Sequence, residues 1–74
     1  MVDHKLTEGQ TFKLQSFNGD EILIQRLLDM GLYPGIEVQY IGRMPLRGPI
    51  IMRVESSFFA LREEEFFCLK LVGK

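Results

Sequence analysis

The 74 residues predict a mainly β domain with one short α-helix, a small barrel of about five strands with the helix inserted between the first and second strands. Three observations lead there. Across Arg26–Pro49, RLLDMGLYPGIEVQYIGRMPLRGP, an apolar period near 3.6 gives way within about five residues to a period of 2. Short segments of alternating apolar and polar residues recur along the chain, separated by turn residues at 18–20, 34–35 and 45–49. A hydrophobic content of 46% with 26% charged residues fits one globular domain over residues 1–74. A chain this short holds only roughly 3–5 kcal/mol of net stability, which favours a closed barrel with little exposed sheet edge.

Residues 1–6 show no period and are expected to be a loose lead-in, followed by a turn at Thr7-Glu8-Gly9-Gln10. The first strand is expected over Thr11–Phe17, with Phe12, Leu14 and Ser16 on the buried face and Lys13 and Gln15 outside. Asn18-Gly19-Asp20 breaks it. Either Asn18, with Glu21 three residues on, or Asp20 can cap a helix running from about Glu21 to Met30. Its buried stripe reads Leu23, Ile24, Leu27, Leu28 and Gly31. Gly31 stands where the chain must turn left-handed, Leu32 can fold back over the last helical turn, and Pro34-Gly35 has the order of a type II turn.

A second strand follows over Ile36–Met44, with Gly42 marking a bulge or bend. After the loop Pro45-Leu46-Arg47-Gly48-Pro49, strands Ile50–Glu55 and Phe58–Arg62 are expected to join at Ser56-Ser57. That register sets Val54 opposite Phe59 and Met52 opposite Leu61. Glu63–Glu65 reads as a short turn or single 3₁₀ turn, and Phe67–Val72 as the closing strand. There is no internal repeat, low-complexity tract or linker.

Those motifs carry a family resemblance. LLDMGLYPG, then a strand, then MPLRGPI resembles the L-L-D-x-G-L-x-P-G … P-L-G-x-P-I pattern of FeoA, ferrous iron transport protein A. Pro49-Ile50, Met52-Arg53-Val54 and Leu61–Glu64 extend the match, which runs from about Thr7 to Val72. Leu28, Gly31, Leu32, Pro34, Gly35, Pro45, Leu46 and Pro49 fall on motif positions with a structural part. The resemblance implies an SH3-like barrel acting in ferrous iron transport and iron homeostasis beside the membrane permease FeoB. It also implies a fold shared with the C-terminal domains of diphtheria-toxin-repressor-type regulators of transition metal ions.

Composition excludes several function classes. The formal charge is −1 and the nine Lys and Arg are scattered, so no basic face exists to recruit nucleic acid. Apolar runs such as PIIM and FFCL are broken by Arg53 and Lys70, far short of the ~20 residues of a membrane span, so direct membrane insertion is not expected. A single cysteine and the lack of a basic, apolar, small-residue leader point to a cytoplasmic protein, and the resemblance implies a peripheral place at the inner membrane through the permease.

Iron ligation needs several His, Cys, Asp or Glu side chains converging on one ion. His4 is the only histidine and lies in the lead-in, Cys68 sits among Phe66, Phe67, Leu69 and Leu71 as a partly buried apolar residue, and Glu63–Glu65 reads as a solvated turn. No metal site or cofactor is expected. Nucleophile pairs and phosphate-binding glycine motifs are also missing, so the chain reads as a non-enzyme. Arg47, at a loop tip where FeoA-like chains commonly have Gly, reads as a solvated arginine.

Apolar residues on the wrong side of the alternation are the more informative surface signal. Ile51 and Phe58 point opposite to Met52, Val54, Phe59 and Leu61; Ile41 follows Tyr40 where a polar residue is expected; Tyr33 stands in an exposed turn. Together with Arg47 they are the candidate partner-binding residues. The favoured function is an accessory module that docks on the cytoplasmic face or GTP-binding domain of FeoB and regulates or assembles it, with self-association left open. The alternative is a metal-sensing or ligand-binding domain, and a proline-peptide-binding SH3 domain is remote because the chain has no Trp.

Overall fold

The computed structural model describes residues 7–73; the expected lead-in over residues 1–6 and His4 lie outside the described residues. The elements are β1 (Thr11–Phe17), α1 (Glu21–Asp29), β2 (Glu37–Arg43), β3 (Ile50–Val54), β4 (Ser57–Leu61), α2 (Glu63–Phe66) and β5 (Leu69–Gly73). All five strands join one antiparallel sheet in the order β4-β3-β2-β1-β5, with α1 between β1 and β2 in sequence. This is the SH3-like architecture that the resemblance implies.

One expectation of the whole fold is corrected. The sheet does not close: β4 and β5 are its two edges, and α2 carries the chain from one to the other. The buried Phe66 of α2 joins the core there, covering apolar surface that closure would otherwise have to cover. Among the described residues, no helix is long and apolar enough to cross a membrane.

β1 begins as expected, with Phe12 and Leu14 buried. Its pairing with β5 shifts at Gln15, between Leu14↔Leu71 and Ser16↔Lys70. The extra residue breaks the alternation, so Phe17, opposite the buried Leu69, packs on the core where strict alternation would have chosen Ser16.

Asp20, not Asn18, caps α1: its Oδ1 accepts from the Ile22 N–H at 2.7 Å. The far end is a full Schellman motif. Leu32 N–H donates to Leu27 O at 3.0 Å, Gly31 N–H donates to Leu28 O at 2.9 Å, and Gly31 has φ +96°. Leu27 and Leu32 are both fully buried, and Leu23, Ile24 and Met30 pack against the core. Leu28 departs from the expected stripe and is 38% exposed, because the packed stripe runs through Leu23, Ile24 and Leu27 to the still helical Met30, three residues on, and leaves Leu28 to one side. The type II turn then forms, with Ile36 N–H bonded to Tyr33 O and Gly35 at φ +103°.

In β2 the pairing with β3 slips between Tyr40↔Met52 and Gly42↔Ile51, so the expected bulge is present with Ile41 as its extra residue. The β3–β4 register differs from expectation. Met52 faces Phe59, Ile50 faces Leu61 and Val54 faces Ser57, around a two-residue turn of Glu55 and Ser56. Placing the turn one residue earlier moves every partner by two positions. A shift of two preserves which face each side chain takes, so Met52 and Leu61 are buried and Phe58 is outside, as expected.

Glu63–Glu65 is not a free turn but the start of α2, a single α-helical turn. Arg62 N–H, at the N-cap, donates to Glu65 Oε1 at 2.9 Å, and three carboxylates suit the positive end of even a short helix. Consequently β5 begins at Leu69 rather than at Phe67, whose ring is left half exposed while Phe66 is buried.

Candidate partner-binding surface

The outer face of β2–β3–β4 gathers three of the five residues expected to bind a partner. Ile51 of β3 stands opposite Gly42 of β2 on one side and Ala60 of β4 on the other, and Phe58 is diagonal to Ile51, opposite Arg53. The bulge places Ile41 beside Gly42. Ile41 and Ile51 are half-buried and Phe58 is 63% exposed, so the strip Ile41, Ile51, Ala60, Phe58 runs obliquely across three strands to the sheet edge. Glu8 bounds its inner end, with a carboxylate oxygen 3.2 Å from where a Cβ on Gly42 would stand. Ala60 was not singled out by sequence; its two-residue spacing from Phe58 was the available signal, masked by its small size.

Arg47 borders this strip. It lines a shallow pocket with Pro49, Ala60 and Arg62, and its Nη2 lies 3.7 Å from Glu63 Oε1, while Arg43 Nη1 holds the other oxygen at 3.2 Å. It is the solvated arginine expected, its side chain 84% exposed, and so exposed a pair contributes little. The loop that carries it is fixed by its backbone. Met44 N–H donates to Pro49 O, Gly48 N–H donates to Pro45 O and Met44 O, and Leu46 and Arg47 take φ of +60° and +58° in succession. Leu46, expected to have a structural part, has no packing role: it is 98% exposed at the tip.

Tyr33 is exposed as expected but belongs to another feature, a cleft of about 650 Å³ whose walls include Met30, Val54, Glu55 and Phe59 rather than the strip residues. The structure does not bring it into the patch.

Of the side chains considered for metal, Glu63, Glu65 and Cys68 are otherwise engaged, and Glu64 is exposed. Glu65 is buried, accepting from Arg62 N–H and from Arg26 Nη1 at 3.1 Å. That overturns its reading as part of a solvated turn. Cys68 is fully inside the core, its thiol donating to Glu64 O at 3.4 Å. Among the described residues no three His, Cys, Asp or Glu side chains are grouped to hold a metal ion.

A family model described as the FeoA domain matches residues 4–68. An iron uptake regulatory protein, FeoA, has a crystal structure similar to this chain at 28% identity and TM-score 0.75, covering 92% of this chain and 86% of that one. An FeoA-like protein from Clostridium acetobutylicum is similar at 20% identity and TM-score 0.82, over 93% and 80% of the two chains. The manganese regulator SloR shares the fold at 13% identity and TM-score 0.80; this chain covers 33% of its length. No curated protein sequence matches.

Proposed function

The chain belongs to the FeoA-domain family, and from that membership we propose that it is a non-catalytic accessory protein of ferrous iron transport that docks on the membrane permease FeoB. Membership supports the role in ferrous iron transport; the partner and the surface are the finer reading. The observation that carries that reading is the oblique strip. Phe58 is a large aromatic side chain standing mostly in solvent, flanked by Ile51, Ala60 and Ile41, on a sheet whose other apolar side chains, Val72 apart, supply the core. An aromatic anchor amid smaller apolar contacts, rimmed by Arg47, Arg53 and Glu8, has the composition of a protein-docking patch. On this reading the protein is cytoplasmic and reaches the inner membrane through the permease.

The alternative, a metal-sensing domain, draws on the fold shared with manganese regulators. The donor set of the described residues does not fit it, because Glu63 and Glu65 are spent on arginines and Cys68 is buried alone.

The test is a pull-down of the cognate permease from solubilised membranes with this chain as bait, in GDP and GTP-analogue states. Retention in at least one state, lost with Phe58→Glu, is expected. No retention in either state overturns the reading.

A further inference from the structure

The free edge of β4 is short but lacks the charges, proline and bulge that commonly keep sheet edges from pairing. Ser57–Leu61, SFFAL, has no charge, no proline and no register shift against β3. The opposite edge, β5, carries Lys70 and meets β1 across a bulge. The hydrogen-bonding pattern of β4 follows from its turn. A two-residue turn with Glu55 at φ +56° makes Val54 and Ser57 the hydrogen-bonded closing pair. Pairs then alternate, so Phe59 and Leu61 bond inward to Met52 and Ile50, whereas Phe58 and Ala60 sit at non-bonded pairs with Arg53 and Ile51. The N–H and C=O of Phe58 and of Ala60 consequently point away from the sheet.

Two outward-facing residues separated by one inward-facing residue are self-complementary. We propose that β4 pairs antiparallel with β4 of a second copy across a two-fold axis at Phe59, so that Phe58 of each copy exchanges both backbone hydrogen bonds with Ala60 of the other. This gives four hydrogen bonds and one continuous ten-stranded sheet. On the outer face each Phe58 ring then lies over Ala60 and beside Ile51 of the second copy, extending the apolar strip through the axis. At the ends of the paired strands, Arg62 of one copy comes beside the turn that holds Glu55 of the other, both exposed and of opposite charge. A five-residue edge buries too little surface for an obligate dimer, so association is weak and rises with concentration.

Sedimentation and amide hydrogen exchange on the full chain, from low micromolar to millimolar protein, test this. The expected result is a monomer–dimer equilibrium in which the Phe58 and Ala60 amides gain protection in step with the dimer fraction. Ala60→Pro removes an outward N–H that no bond among the described residues uses, so it should leave the circular dichroism unchanged and weaken dimerisation roughly tenfold or more. A monomer throughout, or a dimer in which these two amides exchange at a concentration-independent rate, overturns the proposal. Protection of the same amides only on adding the permease's cytoplasmic domain also overturns it, assigning the edge to a strand of that partner. Exchange on the native chain decides the matter even if the proline variant fails to fold.

Discussion

At Gly31 there is room for a side chain, since nothing lies within 4 Å of where a Cβ would stand, yet the backbone at φ +96° admits none without strain. Gly31→Val is therefore expected to lower stability by more than about 1 kcal/mol through conformation alone. An unchanged denaturant midpoint would show that the Schellman geometry is not what holds the end of α1. Arg47 presents the reverse case. It occupies φ +58° with a side chain, and its 3.7 Å pair with Glu63 is too exposed to offset the strain. Arg47→Gly should raise the urea midpoint, corresponding to a gain in unfolding free energy on the order of 1 kcal/mol. A fall would show that the pairing of Glu63 with both Arg43 and Arg47 matters more than the backbone. Gly48 differs from both, because a Cβ there would meet Met44 Cβ at 2.8 Å, a collision that no backbone freedom relieves.

Elements with a strong local signal were legible in the sequence. Asp20, Gly31 and Pro34-Gly35 each impose a backbone geometry on their own neighbours, so the helix, its stop and the following turn all stand where the residues place them. What was not legible depended on counting across a gap. The β3–β4 register hung on which two of Glu55, Ser56 and Ser57 made the turn, and no glycine marked the left-handed position that Glu55 takes. α2 was hidden because three successive glutamates look solvated; the local cap donor Arg62 N–H and the tertiary partner Arg26 together make a buried Glu65 tenable. The Arg26 bond ties α1 to α2, and the Arg62 N–H bond caps α2 itself. Glu65→Ala should cost about 1–3 kcal/mol, read from thermal or urea unfolding, since it frees the Arg62 N–H and leaves Arg26 unpaired. A change within error would show that α2 is held by the burial of Phe66 alone.

On the scale of the molecule, an open five-stranded sheet with one packed face must leave its other face to solvent, and this chain leaves that face partly apolar where β2, β3 and β4 meet. The alternation of β3 and β4 made the two sets of residues separable from sequence despite the register error, because a two-residue slip keeps every side chain on its face. Of the five residues expected to bind a partner, Ile41, Ile51 and Phe58 share the strip, Arg47 borders it and Tyr33 lies in the cleft, since turns and loop tips have no periodicity to place them. The division predicts a separation of folding from binding. Leu61→Glu buries an unpaired charge at a fully buried position, costing more than the ~3–5 kcal/mol a domain of this size holds, and should give an unfolded chain. Phe58→Glu, one strand position from that same core but on the solvent face, should keep the fold to within about 1 kcal/mol. If the strip is the docking site, that folded variant should lose a large part of its affinity for the permease, on the order of 2 kcal/mol for a central aromatic anchor, and Arg47→Ala at the border should lose less. A Phe58→Glu protein that folds and binds the permease as tightly as the native chain would remove this face from consideration and leave the cleft beside Tyr33 as the surface to examine.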